Sequence, residues 1–177
     1  MSKKRILILG VEGMLGNTLF LYLVNSGKFT IKGTQRSKKN KIYNYEKFNK
    51  LLIKNLDVTN FDKVKKLIIK FKPNYIINCI GITNKQISEN SKINILKINS
   101  LLPKFLSLLS KVYNFRFIHI STDCVFDGKE KIYNEESYKS ARDFYGISKS
   151  LGEEIDNNKN CLVLRTSIIG HDLKKKD

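Results

Sequence analysis

Short runs rich in Ile and Val alternate along this chain with longer segments of helical period, and this alternation constrains the fold more than any other feature. Such a pattern is typical of a parallel sheet whose connecting helices pack on both faces. The chain is therefore predicted to form an α/β fold with a doubly wound parallel sheet. The predicted strands are RILILG, FTIKGTQ, LLIKNLDV, YIINCIG, FRFIHIST and CLVLRTS.

The segments between these strands predict four helices. Asn60 is suited to cap the second helix, and Pro103 is expected to kink or break the third because proline lacks the backbone N–H of a helix interior. Ser140, three residues before Asp143, resembles an acidic capping box at the start of the fourth. The helices are predicted over residues 14–27, 60–72, 91–113 and 140–157.

The charge of the chain is strongly basic, with 33 Lys and Arg against 16 Asp and Glu and a net charge of +17 over 177 residues. A charge of this sign favours an anionic partner. The lysines are scattered, however, and neither an aromatic-interleaved basic repeat nor a zinc-ligand spacing accompanies them. We therefore expect no nucleic-acid partner and attribute the charge to a biased composition.

The cysteines are Cys79, Cys124 and Cys161, an odd number with no C-x-x-C pair. This spacing predicts neither a disulfide framework nor a metal site. The opening MSKKRILILG has too short an apolar stretch for a secretory signal, and no run approaches the length of a membrane span. We expect a cytoplasmic protein with no membrane partner and no metal.

The stretch GVEGMLG follows the first predicted strand and opens the first predicted helix. Glycine at this junction lets the pyrophosphate of a dinucleotide approach the backbone amides of the helix start. Gly10 is expected to make the tight turn, Gly13 to permit the close approach and Gly16 to let the helix pack on the strand. Met14 and Leu15, at the helix start, are also predicted to contact the cofactor. The fold is thus expected to be of the Rossmann type.

The end of the second strand indicates which dinucleotide binds. An enzyme that prefers NADH commonly places an Asp or Glu there, on the ribose hydroxyls, whereas no acidic residue occurs between Glu12 and Glu46. Arg36 and Ser37 lie where the ribose is expected, and the Arg36 guanidinium is suited to a 2′-phosphate. We predict a preference for NADPH, with NADH possible. The alternative is that these residues are ordinary surface residues of a lysine-rich chain.

Two further strand ends belong to the same predicted site. Asp57 and Val58 are expected to hold the adenine by a hydrogen bond and an apolar contact, although Asp57 is equally compatible with a helix start. Cys79, Ile80 and Gly81 end the fourth strand on the carboxyl edge, where ligands of such sheets bind.

The stretch FYGISKS places Tyr145 and Lys149 four residues apart on one helix face. An ammonium beside a phenol lowers the pKa of the phenol and makes it a usable acid and base near neutrality. The spacing alone carries little weight, because Tyr43 begins a second such pair. Only Tyr145 follows a strand that ends in hydroxyl residues, Ser121 and Thr122.

Four motifs in this order, GVEGMLG, STDCVFDG, ARDFYGISK and LRTSIIG, resemble the extended short-chain dehydrogenase/reductases over nearly the entire chain. The branch most similar is the dTDP-4-dehydrorhamnose reductase-like proteins. The resemblance implies an NAD(P)-dependent oxidoreductase that reduces a 4-keto nucleotide-diphospho-sugar. The resemblance leaves two alternatives open: a weakly active or inactive dinucleotide-binding regulatory subunit, and a nucleotide-sugar epimerase.

The resemblance also implies roles for individual residues. Thr122 would hydrogen-bond the substrate carbonyl, Tyr145 would protonate its oxygen, and Lys149 would hold the nicotinamide ribose and tune Tyr145. Asp123 would touch the substrate, and Asn99 would shape the central helix or hold a water.

Neighbouring residues are assigned other roles. Ser121 is expected to be structural, and His119, two residues earlier in an apolar strand, to be a core histidine. Cys124 stands where this branch often has Tyr and where sugar dehydratases have Glu. Its presence favours carbonyl reduction over dehydration.

Members of the resembled family run well beyond the length of this chain. Residues 1–170 are expected to form an NAD(P)-binding domain, with Gly170 at its edge, and residues 171–177 to be a stub of a substrate-binding lobe. We expect the chain to be a fragment of a longer reductase, or else a shortened product that turns over poorly. A homodimer is possible.

Overall fold

A computed structural model of the chain describes residues 2–38, 46–89, 91–155 and 158–168. The described residues contain one parallel sheet of six strands in the order β3-β2-β1-β4-β5-β6. This doubly wound order confirms the predicted Rossmann-type α/β fold. The strands are β1 Arg5–Leu9, β2 Thr30–Thr34, β3 Leu52–Ile53, β4 Tyr75–Asn78, β5 Arg116–Ser121 and β6 Cys161–Arg165.

Helices cover both faces of the sheet because the strands present apolar side chains alternately to each side. On β1, Ile6 and Ile8 pack with Phe20 of the first helix, whereas Leu7 and Leu9 pack in a second cluster with the helices that follow β3 and β4. All four of these β1 side chains are buried. The helices are α1 Met14–Asn25, α2 Phe61–Phe71, α3 Lys92–Leu96, α4 Leu102–Tyr113 and α5 Phe144–Gly152.

The helical segment after β4 continues through Pro103 without a gap, and a π-helical turn before the proline takes the place of the predicted kink or break. Residues Lys97–Leu101 form a π-helical turn, in which the N–H of Leu102 donates to the carbonyl of Lys97, five residues back. Pro103 has no N–H for the carbonyl of Asn99, its α-helical partner. Gly152 of α5 packs against that carbonyl so closely that a Cβ on Gly152 would lie 2.1 Å from the Asn99 oxygen.

Two predicted elements differ from those in the structure. The third strand was expected over residues 51–58 but spans only Leu52–Ile53, because Asn55 has a left-handed φ of 57° that ends extended pairing. The predicted Ser140 cap is wrong. Asp143 caps α5 by accepting from the Gly146 N–H at 2.9 Å, and the Ser140 hydroxyl accepts from the Asp127 N–H instead.

The boundaries of the first three predicted helices agree with the structure to within two residues, whereas the fourth helix ends at Gly152, before the predicted end at residue 157. Asn60 caps α2 by accepting from the Lys63 N–H, and α1 ends at Asn25, two residues before the left-handed Gly27. None of the helices in the described ranges is long and apolar enough to span a bilayer.

Candidate active site

The turn from β1 into α1 is fixed to the end of β2. The Gly10 N–H donates to the Thr34 hydroxyl and the Val11 N–H to the Thr34 carbonyl, at 3.2 and 3.1 Å. Gly10 has a φ of 87°, a conformation that favours glycine, and its carbonyl accepts from the Gly13 N–H. The first turn of α1 therefore begins at the carboxyl edge of the sheet.

Two glycines of this turn differ in what a side chain would meet. A Cβ on Gly16 would lie 2.2 Å from the Gly10 carbonyl oxygen, a severe clash, so α1 approaches β1 only because this position is glycine. A Cβ on Gly13 would meet the same oxygen at 3.7 Å, an ordinary contact, and Gly13 is exposed. Internal packing therefore requires glycine at Gly16 but not at Gly13.

A cavity of about 250 Å³ opens at this edge of the sheet, between the ends of β1, β2 and β4. The predicted cofactor residues that line the cavity are Gly10, Arg36, Asp57, Val58, Ile80 and Gly81. Those that do not line it are Gly13, Met14, Leu15, Gly16, Ser37, Cys79, Tyr145 and Lys149. The lining residues not predicted from sequence are Glu12, Thr34, Gln35, Leu56, Thr59, Ile82, Gln86, Asn94 and Ile98.

Glu12 lines the cavity although the sequence did not predict it there, and its contacts matter most for the proposed cofactor site. Its carboxylate accepts from the backbone N–H groups of Arg36 and Ser37, at 2.7 and 3.3 Å, and from the Ser37 hydroxyl. The expectation that no acidic side chain reaches the end of β2 is therefore wrong. The carboxylate comes from the β1–α1 turn, 24 residues earlier, rather than from β2 itself.

Asp57 follows β3 and stabilises the turn before α2. Its carboxylate accepts from both the N–H and the hydroxyl of Thr59, at 2.9 and 2.8 Å. These hydrogen bonds, with the nearby charges of Arg36 and Lys63, lower the pKa of Asp57. Because Asn60 is the residue that caps α2, Asp57 is not the capping residue.

His119 is a core histidine, as predicted, and is fully buried on β5. Asn78 of β4 donates from its side chain to Nδ1 of His119 at 3.2 Å and accepts from the Ile80 N–H at 3.1 Å. Burial, and then the charge of Lys149, lower the pKa of His119 well below its usual value. The neutral imidazole thus helps hold Asn78, which fixes the backbone that lines the cavity. Burial also raises the pKa of the adjacent Cys79 thiol to about 12.

Thr122 and Tyr145 lie together at the end of β5. The Thr122 hydroxyl donates to Asp123 at 3.1 Å and accepts from the Cys124 N–H at 3.2 Å. Burial raises the pKa of Tyr145, a hydrogen bond with Thr122 opposes this, and the charges of Cys124, Asp123 and Asp143 add to the rise.

The expectation that Lys149 lowers the pKa of Tyr145 is wrong for this arrangement of the site, since Lys149 is not among the groups that shift it. The ammonium of Lys149 instead donates to the Ile120 carbonyl at 3.0 Å. It lies on the cavity side of α5, because a Cβ on Gly81 would be 3.7 Å from it. Lys149 is 4% exposed, and burial lowers its pKa to about 8, against an opposing effect of Glu153.

Replacing Lys149 by methionine is expected to raise the free energy of unfolding near pH 7 by roughly 1–3 kcal/mol, because the wild-type chain buries a charge there. The folded pKa of about 8 lies below the ordinary 10.5, so the unfolded chain binds more protons between these values. This cost therefore disappears as the pH rises from about 8 to 10.5. Urea unfolding of both proteins at several pH values measures the difference, and a difference independent of pH would contradict the prediction.

Asn99 links the cavity to α5. Its side-chain amide donates to the Ile82 carbonyl and to the Ser148 hydroxyl, both at 3.0 Å, and its oxygen accepts from the Ile82 N–H at 2.8 Å. The Ser100 hydroxyl donates to the Ser148 carbonyl at 2.7 Å. These buried contacts hold the helix that carries Tyr145 against the loop after β4, so the expected shaping role of Asn99 has a structural basis.

Ser121 has a partner at the end of α5, as expected of a structural residue. Its hydroxyl donates to the buried carboxylate of Glu153 at 2.5 Å. Arg165 of β6 pairs with the same carboxylate at 2.9 Å, and its guanidinium stacks 5.0 Å from the Phe126 ring centroid. Asp123, which is exposed, accepts from Ser167, and this hydrogen bond is the main reason that its pKa is lowered.

This geometry agrees with comparisons to known proteins. A family model described as the RmlD substrate binding domain matches residues 4–176. The chain belongs to the RmlD substrate binding domain family. The predicted resemblance to dTDP-4-dehydrorhamnose reductase-like proteins is thereby confirmed.

Relatives within and around the RmlD family share about half of their length with this chain. The dTDP-4-dehydrorhamnose reductase of Aggregatibacter actinomycetemcomitans is 31% identical over 166 residues, which is 92% of this chain and 51% of that protein. Methionine adenosyltransferase 2 subunit beta of Xenopus tropicalis is 28% identical over 97% of this chain and 49% of its own length. The chain thus spans about half the length of these curated relatives.

A solved structure has the same fold. The dTDP-4-dehydrorhamnose reductase of Bacillus anthracis, determined in complex with NADP, superposes with a TM-score of 0.74 at 26% identity. The match covers 93% of this chain and 54% of that one. The part of the RmlD fold shared with this reductase is therefore the part that carries the cavity and the Thr122–Tyr145 pair.

Proposed function

We propose that the chain is the dinucleotide-binding part of an NADPH-dependent reductase of a 4-keto nucleotide-diphospho-sugar. The observation that carries the proposal is that Thr122, Tyr145 and the buried Lys149 lie together at the carboxyl end of β5, at the same edge of the sheet as the cavity. Thr122 affects the pKa of Tyr145, and the Lys149 ammonium donates to the Ile120 carbonyl. The reductases among its relatives, and the complex of one of them with NADP, support it.

The residues of the chain fit a dinucleotide. The tight packing of Gly16 on Gly10 brings the helix start to the mouth of the cavity, and the exposed Gly13 leaves the amides there accessible to a pyrophosphate. When bound, the nicotinamide supplies a hydride to the carbonyl carbon. The adenine end would lie along Asp57 and Val58, and the nicotinamide end near Gly81 and Lys149.

Proton transfer completes the reduction. The Tyr145 hydroxyl gives its proton to the carbonyl oxygen as that oxygen gains negative charge, which yields the alcohol and a phenolate. The Thr122 hydroxyl stabilises the same oxygen by donating a hydrogen bond, which requires it to leave Asp123. Lys149, whose ammonium donates to the Ile120 carbonyl close to Gly81, would hold the nicotinamide ribose.

The function is tested by NADPH oxidation with a panel of dTDP- and UDP-4-keto sugars, using the product of the complete gene. Turnover of at least one 4-keto sugar is expected. Interconversion of sugar epimers without net oxidation of NADPH would favour the epimerase alternative. Binding of the dinucleotide with no turnover of any sugar would contradict the reductase.

A regulatory subunit is the second candidate, because the beta subunit of methionine adenosyltransferase 2 matches 97% of this chain. On this reading the dinucleotide site is kept and the chemistry is lost. The presence of Thr122, Tyr145 and Lys149 in one place argues for the reductase. The turnover assay above decides between them.

The preference for NADPH is proposed from Arg36, an exposed residue of the cavity lining whose charge affects Asp57. Replacing Arg36 by alanine is expected to raise the KM for NADPH by about tenfold or more and to leave the KM for NADH nearly unchanged, since only NADPH has a 2′-phosphate. Steady-state kinetics with both cofactors measure the two values. An unchanged NADPH to NADH ratio would refute the assignment.

We also propose that residues 1–170 act as one NAD(P)-binding domain. The enzyme would be cytoplasmic, would act on a nucleotide-diphospho-sugar and could form a homodimer. Gly170 and residues 171–177, the predicted domain edge and stub, lie outside the described residues, as does Tyr43. Leu162 and Leu164 are apolar side chains exposed on β6, the strand at one edge of the sheet. A substrate-binding lobe packed on this edge would cover them.

A further inference from the structure

We propose that Glu12 narrows the preference for NADPH over NADH by competing with the 2′-phosphate for the backbone amides of Arg36 and Ser37. This inference rests on the proposed function, because it concerns the same dinucleotide site. It adds a specificity-determining residue that lies in the glycine motif rather than on β2.

The loop after β2 is held in place independently of Glu12. The Gln35 N–H donates to the Ile53 carbonyl at 2.9 Å, and the Leu56 N–H donates to the Gln35 carbonyl at 3.1 Å. The Ser37 carbonyl accepts from the Gln35 side chain at 3.0 Å and from the Asn55 N–H at 3.3 Å. The positions of the next two amides are therefore set by β3 and the loop after it.

These two amides and one hydroxyl form an anion-binding group. The N–H groups of Arg36 and Ser37, together with the Ser37 hydroxyl, all donate to the single carboxylate of Glu12. Successive backbone N–H groups of this kind bind phosphate as well as carboxylate. Arg36, at the same place, adds a guanidinium suited to phosphate.

The two cofactors meet this group differently. A 2′-phosphate needs the donors that Glu12 holds, and two anions cannot share them, so Glu12 must leave and lose three hydrogen bonds. NADH has a ribose hydroxyl there instead. A carboxylate has about four acceptor positions, so one remains for that hydroxyl while the three donors stay bound. Glu12 therefore disfavours NADPH and is compatible with NADH.

The test is a titration of NADPH and NADH into wild type, Glu12→Gln and Glu12→Ala, with Kd as the readout. Glutamine keeps an acceptor for the amides but removes the negative charge. We expect the Kd for NADPH to fall by about tenfold in Glu12→Gln, while the Kd for NADH stays within about twofold or rises. The fragments 2′,5′-ADP and 5′-AMP should show the same contrast, which assigns the effect to the phosphate.

Glu130→Gln is the matched control, since it removes one negative charge from an exposed loop that does not line the cavity. Its NADPH to NADH ratio should equal that of wild type. An unchanged ratio in both Glu12 variants, an equal loss of both cofactors, or an equal gain in Glu130→Gln would overturn the inference. Wild type that binds neither cofactor would overturn the proposed function itself, which separates the two failures.

Discussion

Replacement of Tyr145 by phenylalanine should lower kcat for carbonyl reduction by about 10²–10⁴-fold, the usual contribution of a positioned acid. The variant removes only the hydroxyl that would protonate the substrate oxygen. Tyr145 is half-buried and Thr122 retains hydrogen bonds with Asp123 and Cys124, so the fold should change little. We therefore expect the melting temperature and the Kd for NADPH to remain close to those of wild type.

The matched control for this experiment is Tyr138→Phe, because Tyr138 is 86% exposed. It loses the same atom at a surface position and should keep full turnover. The measurements are NADPH oxidation with the best substrate of the panel, thermal unfolding and cofactor titration. Full activity in Tyr145→Phe, or an equal loss in Tyr138→Phe, would remove Tyr145 from the mechanism.

A second large effect is expected from alanine at two positions of the β1–α1 turn. In Gly16→Ala the new methyl group would clash with the Gly10 carbonyl, which the backbone cannot avoid without moving α1. Overpacking of this kind costs roughly 1–3 kcal/mol or more, whereas the helix propensity of alanine returns only about 1 kcal/mol. We expect a lower free energy of unfolding together with weaker cofactor binding.

Gly13→Ala separates binding from stability. The new methyl group meets only an ordinary contact at 3.7 Å, and the backbone of Gly13 is extended, with φ −89° and ψ 159°. The free energy of unfolding should therefore change by less than about 1 kcal/mol, while the Kd for both cofactors rises by at least about tenfold because the methyl group occupies the approach of the pyrophosphate. Urea unfolding and titration of both variants provide the comparison, and normal binding by Gly13→Ala would contradict a pyrophosphate site there.

The sheet could be predicted because the β1 side chains Ile6–Leu9 are buried on both faces, so the strand leaves a continuous apolar run in the sequence. The change of helical hydrogen bonding before Pro103 could also be predicted, because it follows from the missing backbone N–H of a single proline. The capping residue of α5 could not be predicted, because Ser140 and Asp143 both have side chains that can cap a helix. The Ser140 hydroxyl instead accepts from the Asp127 N–H, a contact that the sequence does not reveal.

The site was predicted less completely for a similar reason. Glu12 stands in the glycine motif, but its partners are 24 and 25 residues later, and only the path of β2 brings them together. The pKa of Tyr145 depends on where the Lys149 ammonium points. An i, i+4 spacing specifies a shared helix face, but the Ile120 carbonyl determines the direction of the side chain.

The π-helical turn before Pro103 has a consequence for the energetics of the proposed reaction. Pro103 has no N–H for the Asn99 carbonyl, which packs against Gly152, while the Asn99 side chain hydrogen-bonds to Ile82. Asn99 therefore connects the lining of the cavity to α5, the helix that carries Tyr145, the proposed acid. Hydride donor and proton donor would then be spaced by the protein before any ligand arrives. The entropy of aligning them is lost during folding, and little of it is left to be lost in the Michaelis complex.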